Sequence, residues 1–294
     1  MHDLEVTTPG PHRDTRAPSV PLPQNSCDAH VHLFGPHDRF PFAPDRTFTP
    51  EDVSLEDLEA MHRTLGFERA VLVQSAAHGS DHSVLLDALE RGQGRYRATA
   101  LLSRTTTEAE VASLDAAGFC GTRIHFAPHL GQGPTEADIE RLADLVGPYG
   151  WHLEVHAMGD ALRGITDLLH RLPIRIVLDH MGRFENTDGV LSPGFQTVAE
   201  LLAGPDVWVK LSGIDRMSRQ LPSMRDGIEI ARRLSAAFPE RCVWGSDYPH
   251  PNTHGFVPRD EALVDALTHI VPDADGLKRL LVDNAEECFG FGTI

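Results

Sequence analysis

The sequence is short of positive charge. Its 26 Lys and Arg stand against 43 Asp and Glu, for a formal net charge of −17. So acidic a chain is repelled by polyphosphate and by anionic lipid, which argues against nucleic acid or a membrane surface as the main partner. It also lacks an apolar run long enough to span a bilayer, and its N-terminus carries no apolar core of a secretory signal. Cysteine is scarce: Cys27, Cys120, Cys242 and Cys288 lie far apart and form no CxxC pair, so neither a disulfide framework nor a paired-cysteine metal site is expected. A cytoplasmic protein with reduced thiols is the expectation, and nothing in the chain speaks for or against a homo-oligomer. No internal repeat of fixed period is visible.

What is present is enough apolar material for one sizeable core, 41% of 294 residues, the length of a single α/β barrel. Residues 1–25, with five prolines, read as a tail, and 26–294 as one catalytic domain. Strand candidates fall at 26–34, 69–75, 96–102, 120–126, 151–157, 174–180, 207–213 and 241–247. Between them lie stretches of 3.6-residue periodicity at 55–65, 83–91, 108–117, 136–146, 161–169, 195–202, 224–238 and 259–270, and a last one at 275–288. Ser54 and Thr135 stand where helix caps belong, and Gly118 and Gly150 follow helix ends. Eight strands alternating with eight helices predict a (β/α)8 TIM barrel. The runner-up, a doubly wound sheet, would usually carry a glycine-rich phosphate turn after its first strand, where this chain has His-x-His.

In a barrel the active site lies at the C-terminal ends of the strands. Cys27-Asp28-Ala29-His30-Val31-His32 ends the first strand with two imidazoles on one side, because side chains alternate with period two. His156 ends the fifth strand, His180 the sixth and Asp247 the eighth. Three imidazoles and a carboxylate suit zinc and similar divalent ions, so His30, His32, His156 and Asp247 are the expected metal ligands, with His180 as acid, base or carbonyl polariser. His152 and His170 read as structural. Arg123, Arg183 and Arg216 lie at or near strand ends, where a guanidinium needs a carboxylate partner. That partner is either the protein's own Asp or Glu, or an acidic substrate held bidentately. The proline- and aromatic-rich loop 36–54 suits an ordered active-site wall.

The motifs Asp28-Ala29-His30-Val31-His32, Leu178-Asp179-His180-Met181-Gly182-Arg183 and Trp244-Gly245-Ser246-Asp247-Tyr248-Pro249-His250-Pro251 together resemble the amidohydrolase superfamily, in particular its 2-pyrone-4,6-dicarboxylate lactonase-like and sugar-lactonase branch. The resemblance runs over residues 26–290. It implies a barrel hydrolase that opens a small anionic lactone, with Asp247 taking a proton from the attacking water and His30, His32 and His180 as further catalytic residues. It also implies substrate contacts from Arg123, Arg183, Arg216 and His250. Phe48 stands where the branch has a loop tyrosine, and His129 where a further arginine is expected, so a mono-carboxylated, sulfonated or sugar-acid lactone fits as well as the dicarboxylate. The branch includes members with one divalent ion and members with none; His156 favours a metal here, zinc first. A metal-dependent decarboxylase of an aromatic or muconate-type acid, a lactone isomerase and a sugar-acid binding protein are the alternatives.

Overall fold

Polar residues with the right reach close the ends of the helices. In the computed structural model, which describes residues 5–127, 130 and 133–292, the chain forms α1 (Leu55–Leu65), α2 (Ser83–Gly92), α3 (Glu108–Ala117) and α4 (Glu136–Val146) along its first half. Ser54, Thr107 and Thr135 cap α1, α3 and α4: each hydroxyl accepts a backbone N–H three residues on, and the acid there reaches back to the cap. Gly66 and Gly118 then end α1 and α3 with φ of 97° and 107°, which a residue with a Cβ rarely adopts.

These helices alternate with β1 (Cys27–Val31), β2 (Arg69–Val73), β3 (Tyr96–Ala100), β4 (Phe119–Phe126), β5 (His152–Ala157), β6 (Ile176–Leu178), β7 (Val207–Leu211) and β8 (Cys242–Trp244). The eight strands form one parallel sheet in chain order. It curls until the segment after β8 meets β1: Val31 bridges Tyr248, His32 N donates to the Tyr248 carbonyl at 2.7 Å, and Asp247 N donates to that of His30 at 2.9 Å. The sheet is therefore a nearly closed barrel, as expected of a TIM-type fold.

The interior is layered. Cys27, Ala29, Val71, Val73, Val177, Trp208 and Val243 fill its lower part, sealed by Ala285, Cys288, Phe289 and Phe291 from the C-terminal segment. Above them lies a charged layer. The four cysteines are free thiols. The helices after β5 to β8 are α5 (Thr166–Arg171), α6 (Pro193–Leu202), α7 (Ile214–Met217), α8 (Arg225–Ala237), α9 (Asp260–Asp265) and α10 (Leu267–Ile270). The expected final helix is interrupted: α11 (Ala274–Lys278) and α12 (Asn284–Phe289) flank a π-type turn at Arg279–Asp283. Among the described residues no helix is long and apolar enough to cross a membrane.

Residues 5–25 contain no strand or helix and run across the barrel. Thr7 N donates to the Thr49 carbonyl at 2.9 Å, Arg13 pairs with Asp57 at 2.9 Å, Asp14 with Arg259 at 2.9 Å, and Ser19 Oγ donates to Asp265 at 2.7 Å. The segment thus ties the β1–α1 loop and α1 to α9, the helix that follows β8.

Candidate active site

A buried square of charge supports the site from below. Arg123 on β4 and Lys210 on β7 face Glu154 on β5 and Asp179 just after β6, and all four side chains are almost wholly buried. Arg123 reaches Asp179 at 2.7 Å and Glu154 at 3.3 Å. Lys210 hydrogen-bonds Glu154 and lies 3.6 Å from Asp179. Two cations against two anions leave the square neutral, the condition on which buried charge is tolerated. Burial opposes ionisation of Asp179, but Arg123, His30 and Lys210 outweigh it and hold its carboxyl well below the usual range.

His30 stands on this square, its Nδ1 3.1 Å from Lys210 Nζ and 3.2 Å from Asp179 Oδ1. Burial first, and the Lys210 charge second, push its pKa down to about 3, so the ring is neutral at physiological pH. Its Nε2 has no hydrogen-bond partner and lies 3.7 Å from Asp247 Oδ1, which also has none. His32 Nδ1 donates to the Val73 carbonyl at 2.7 Å, which in the neutral ring leaves Nε2 bare, 3.6 Å from the same Asp247 Oδ1. A lone pair facing a carboxylate oxygen calls for a cation or a proton between them.

Asp247 is held in that position by backbone and by charge. Its φ is +64°, a left-handed value that Asp tolerates better than most residues. Asp28 accepts from Ser246 N at 2.9 Å, from Ser246 Oγ at 2.6 Å and from His30 N at 3.3 Å, so one buried carboxylate aligns β1 with the turn that carries Asp247. Arg216 Nε hydrogen-bonds Asp247 Oδ2 and its Nη2 donates to the Pro251 carbonyl at 2.8 Å. Burial of Asp247 opposes ionisation, yet Arg216, His180, His32 and His30 together hold its carboxyl well below the usual range. His180, at φ +48°, completes the group with Nδ1 2.9 Å from Ser212 Oγ. One ligand atom each from His30, His180 and Asp247 lie within 4.8 Å of one another, close enough to share one metal ion.

Above them opens a pocket whose wall is formed by His32, His180 and Asp247 together with Phe48, Arg183 and Asn252 among others. His30, His32, His180 and Asp247 converge as expected. His156 lines the same pocket, while neither it nor His32 is in the group of His30, His180 and Asp247 that has metal-ligand spacing. His156 Nδ1 faces His125 Nδ1 at 3.2 Å and its Nε2 faces the Arg183 guanidinium at 3.4 Å, where a metal ion would meet a fixed positive charge. A second group, His30, Glu154 and Asp179, has metal-ligand spacing, but the Lys210 ammonium is already the cation among them.

The arginines divide. Arg123 lines the pocket floor with its Nε and Nη2 committed to buried carboxylates. Arg216 lines it while paired with Asp247. Arg183 has no carboxylate within 4.0 Å among the described residues, and burial followed by the Arg216 charge lowers its pKa to about 10, so it stays cationic at neutral pH. His250 is not in the pocket wall: its ring lies behind Asp247, 3.2 Å from Asp260. His129 lies outside the described residues.

Reasoning from the sequence passed over Glu154, Asp179, Lys210 and His125. The signal was there, as ionisable residues at alternate positions of apolar strands: His152, Glu154 and His156 on β5, Arg123 and His125 on β4, and Lys210 inside Val-Trp-Val-Lys-Leu. Such residues point inward, where only a paired network keeps them.

A family model described as amidohydrolase matches residues 27–291. The chain belongs to the amidohydrolase family. Within it, the protein is 37% identical to a 2-pyrone-4,6-dicarboxylate hydrolase of Comamonas testosteroni over 91% of this chain and 90% of that one. It is 35% identical to a 4-sulfomuconolactone hydrolase of Hydrogenophaga intermedia over 92% and 90% respectively. Among solved structures, a putative 2-pyrone-4,6-dicarboxylic acid hydrolase from Pseudomonas putida superposes with a TM-score of 0.78 at 31% identity, covering 93% of this chain and all of that one. This amidohydrolase therefore shares fold and length with lactone-opening enzymes.

Proposed function

We propose that the protein hydrolyses a small anionic lactone, with Asp247 as the base that takes a proton from the attacking water. The observation that carries this is the setting of Asp247, with Oδ2 held by Arg216 and Oδ1 unpartnered among the imidazoles of His30, His32 and His180 in the pocket wall. Water adds to the ester carbonyl carbon as its proton passes to Asp247 Oδ1. The tetrahedral adduct then breaks its ring C–O bond, and the departing ring oxygen regains the proton, leaving an open-chain hydroxy acid or its keto tautomer. His32 and His180 flank the reacting carbonyl, and Arg183 orients the substrate through an acid group.

His30, His180 and Asp247, with His32 beside them, would hold one divalent ion, and their nitrogen and oxygen donors suit zinc best. Such an ion acts as a Lewis acid on the ester and lowers the pKa of nearby water. The square of Arg123, Lys210, Glu154 and Asp179 keeps His30 in place whatever binds above it. The four free thiols and the acidic chain favour the cytoplasm as its location.

Product analysis by NMR after incubation with 2-pyrone-4,6-dicarboxylate and with 4-sulfomuconolactone tests the reaction class. Ring opening with uptake of one water supports the proposal. Release of carbon dioxide points to the decarboxylase, and an isomer of unchanged mass to the isomerase. Replacing Arg183 by Gln should weaken kcat/KM by about 10–100-fold, the loss of one charge-assisted bond. Equal turnover of the uncharged ester by the parent protein would remove Arg183 from substrate binding.

A further inference from the structure

His125 and His156 occupy paired positions of β4 and β5, with rings 5.5 Å apart and nearly perpendicular. Neither belongs to the group around Asp247. A guanidinium has only donors, so Arg183 Nη1, 3.4 Å away, makes His156 Nε2 an acceptor. An accepting ring nitrogen carries no hydrogen, so the contact with Arg183 makes His156 a neutral imidazole. A neutral imidazole carries one N–H, so His156 carries it on Nδ1, 3.2 Å from His125 Nδ1. That contact makes His125 Nδ1 an acceptor in turn, and its hydrogen must sit on Nε2. His125 Nε2 has no partner among the described residues, and His125 lines the pocket. A buried donor without an acceptor, at the wall of a substrate pocket, is a place prepared for one.

We propose that His125 is a specificity-determining residue, whose Nε2–H is a fixed neutral donor to an acid-group oxygen of the substrate. His156 is the positioning residue that relays the charge of Arg183 into the tautomer of His125. This rests on the anionic-lactone reading and deepens it. Among the described residues that line the pocket, Arg183 is a cation with no carboxylate partner and His125 a donor with no acceptor, so the pair distinguishes a ring bearing two acid groups from a ring bearing one. The second acid is recognised by a hydrogen bond and not by an ion pair.

The test is made on the whole protein with isophthalate, a planar ring diacid that cannot be hydrolysed, and benzoate, its single-acid counterpart. Its outcome does not depend on lactone turnover. Calorimetry should show His125→Phe weakening isophthalate by about 10–100-fold and benzoate by no more than about twofold, as the loss of one hydrogen bond to a charged group predicts. His125→Gln, which keeps a donor, should recover part of the difference. Imidazole nitrogen NMR of the histidine-labelled parent protein reads the tautomers directly: His125 with hydrogen on Nε2 and His156 with hydrogen on Nδ1, the His125 pattern being lost in His156→Phe. Hydrogen on Nδ1 of His125, or equal weakening of both ligands in His125→Phe, would overturn the proposal. If the tautomers and the diacid preference hold while no lactone is opened, the assignment of the reaction fails and that of the donor stands.

Discussion

Replacing Asp247 by Asn separates the base from everything else that residue does. The backbone at φ +64° accepts Asn as readily as Asp, so the turn carries no new strain. The amide oxygen can still accept from Arg216 Nε, and the second arginine contact, to the Pro251 carbonyl at 2.8 Å, is untouched. What is lost is the counter-charge of a largely buried guanidinium. With its hydrogen bonds kept, that should cost about 1–3 kcal/mol of stability, below the ~3–5 kcal/mol of a fully broken buried pair. The catalytic loss is separate. An amide nitrogen at the Oδ1 position cannot take a proton from water, and removal of a general base lowers the rate by roughly 10²–10⁴, or ~3–5 kcal/mol in the barrier. The assay is kcat from the disappearance of the pyrone ring absorbance, on protein whose circular dichroism melt shows a folded state. Because Arg216 and the imidazoles hold Asp247 ionised, the acid limb of kcat/KM in the parent should lie below the ordinary carboxylate range. A folded Asn variant with kcat within about threefold of the parent would refute the role, since no base contributes so little.

Lys210→Met leaves Glu154 and Asp179 sharing one cation in the barrel interior. Unfolding in urea should show a loss of about 3–5 kcal/mol, and an unchanged midpoint would mean the square is not held by charge. With His30, His180 and Asp247 as the ligands, one equivalent of a divalent ion should co-purify, His180→Asn should lose it and His156→Asn should retain it, read by elemental analysis; the opposite pattern would make His156 a ligand. His125 gives a pH prediction. Its folded pKa of about 3 lies below the ~6.5 of an unfolded imidazole, so on acidification the unfolded chain binds a proton that the fold refuses. Its effect is nil above the unfolded value, and stability is lost as pH falls from there towards the folded value, by ~1.4 kcal/mol per pH unit. His125→Phe should flatten the stability–pH slope by that amount between about pH 6 and 4, and an unaltered slope would contradict the neutral ring on which the tautomer argument depends.

The barrel was legible because periodicity is local. Alternating apolar residues mark each strand and 3.6-residue stripes each helix, and a chain of eight such pairs has few ways to bury both. The strand-end rule then located His30, His32, His180 and Asp247 without any knowledge of contacts. The C-terminal helix was read as continuous because a π-type turn at Arg279–Asp283 keeps the apolar spacing while breaking the hydrogen-bond pattern.

Pairing across strands was not legible. The guanidiniums of Arg123 and Arg216 are alike in sequence to that of Arg183, yet the first two meet buried carboxylates from β5, β6 and the turn after β8, and the third does not. His156 ends its strand as a ligand should, but the parallel register of β4 on β5 sets it against His125, and the turn after β6 brings Arg183 to its other nitrogen. Spacing along one segment is enough to specify the barrel, the strands that bear chemistry and the residue types at their ends. Which nitrogen faces which oxygen emerges from the folded barrel alone, because a hydrogen bond or a metal contact is settled over a few ångströms between segments brought together from distant parts of the chain.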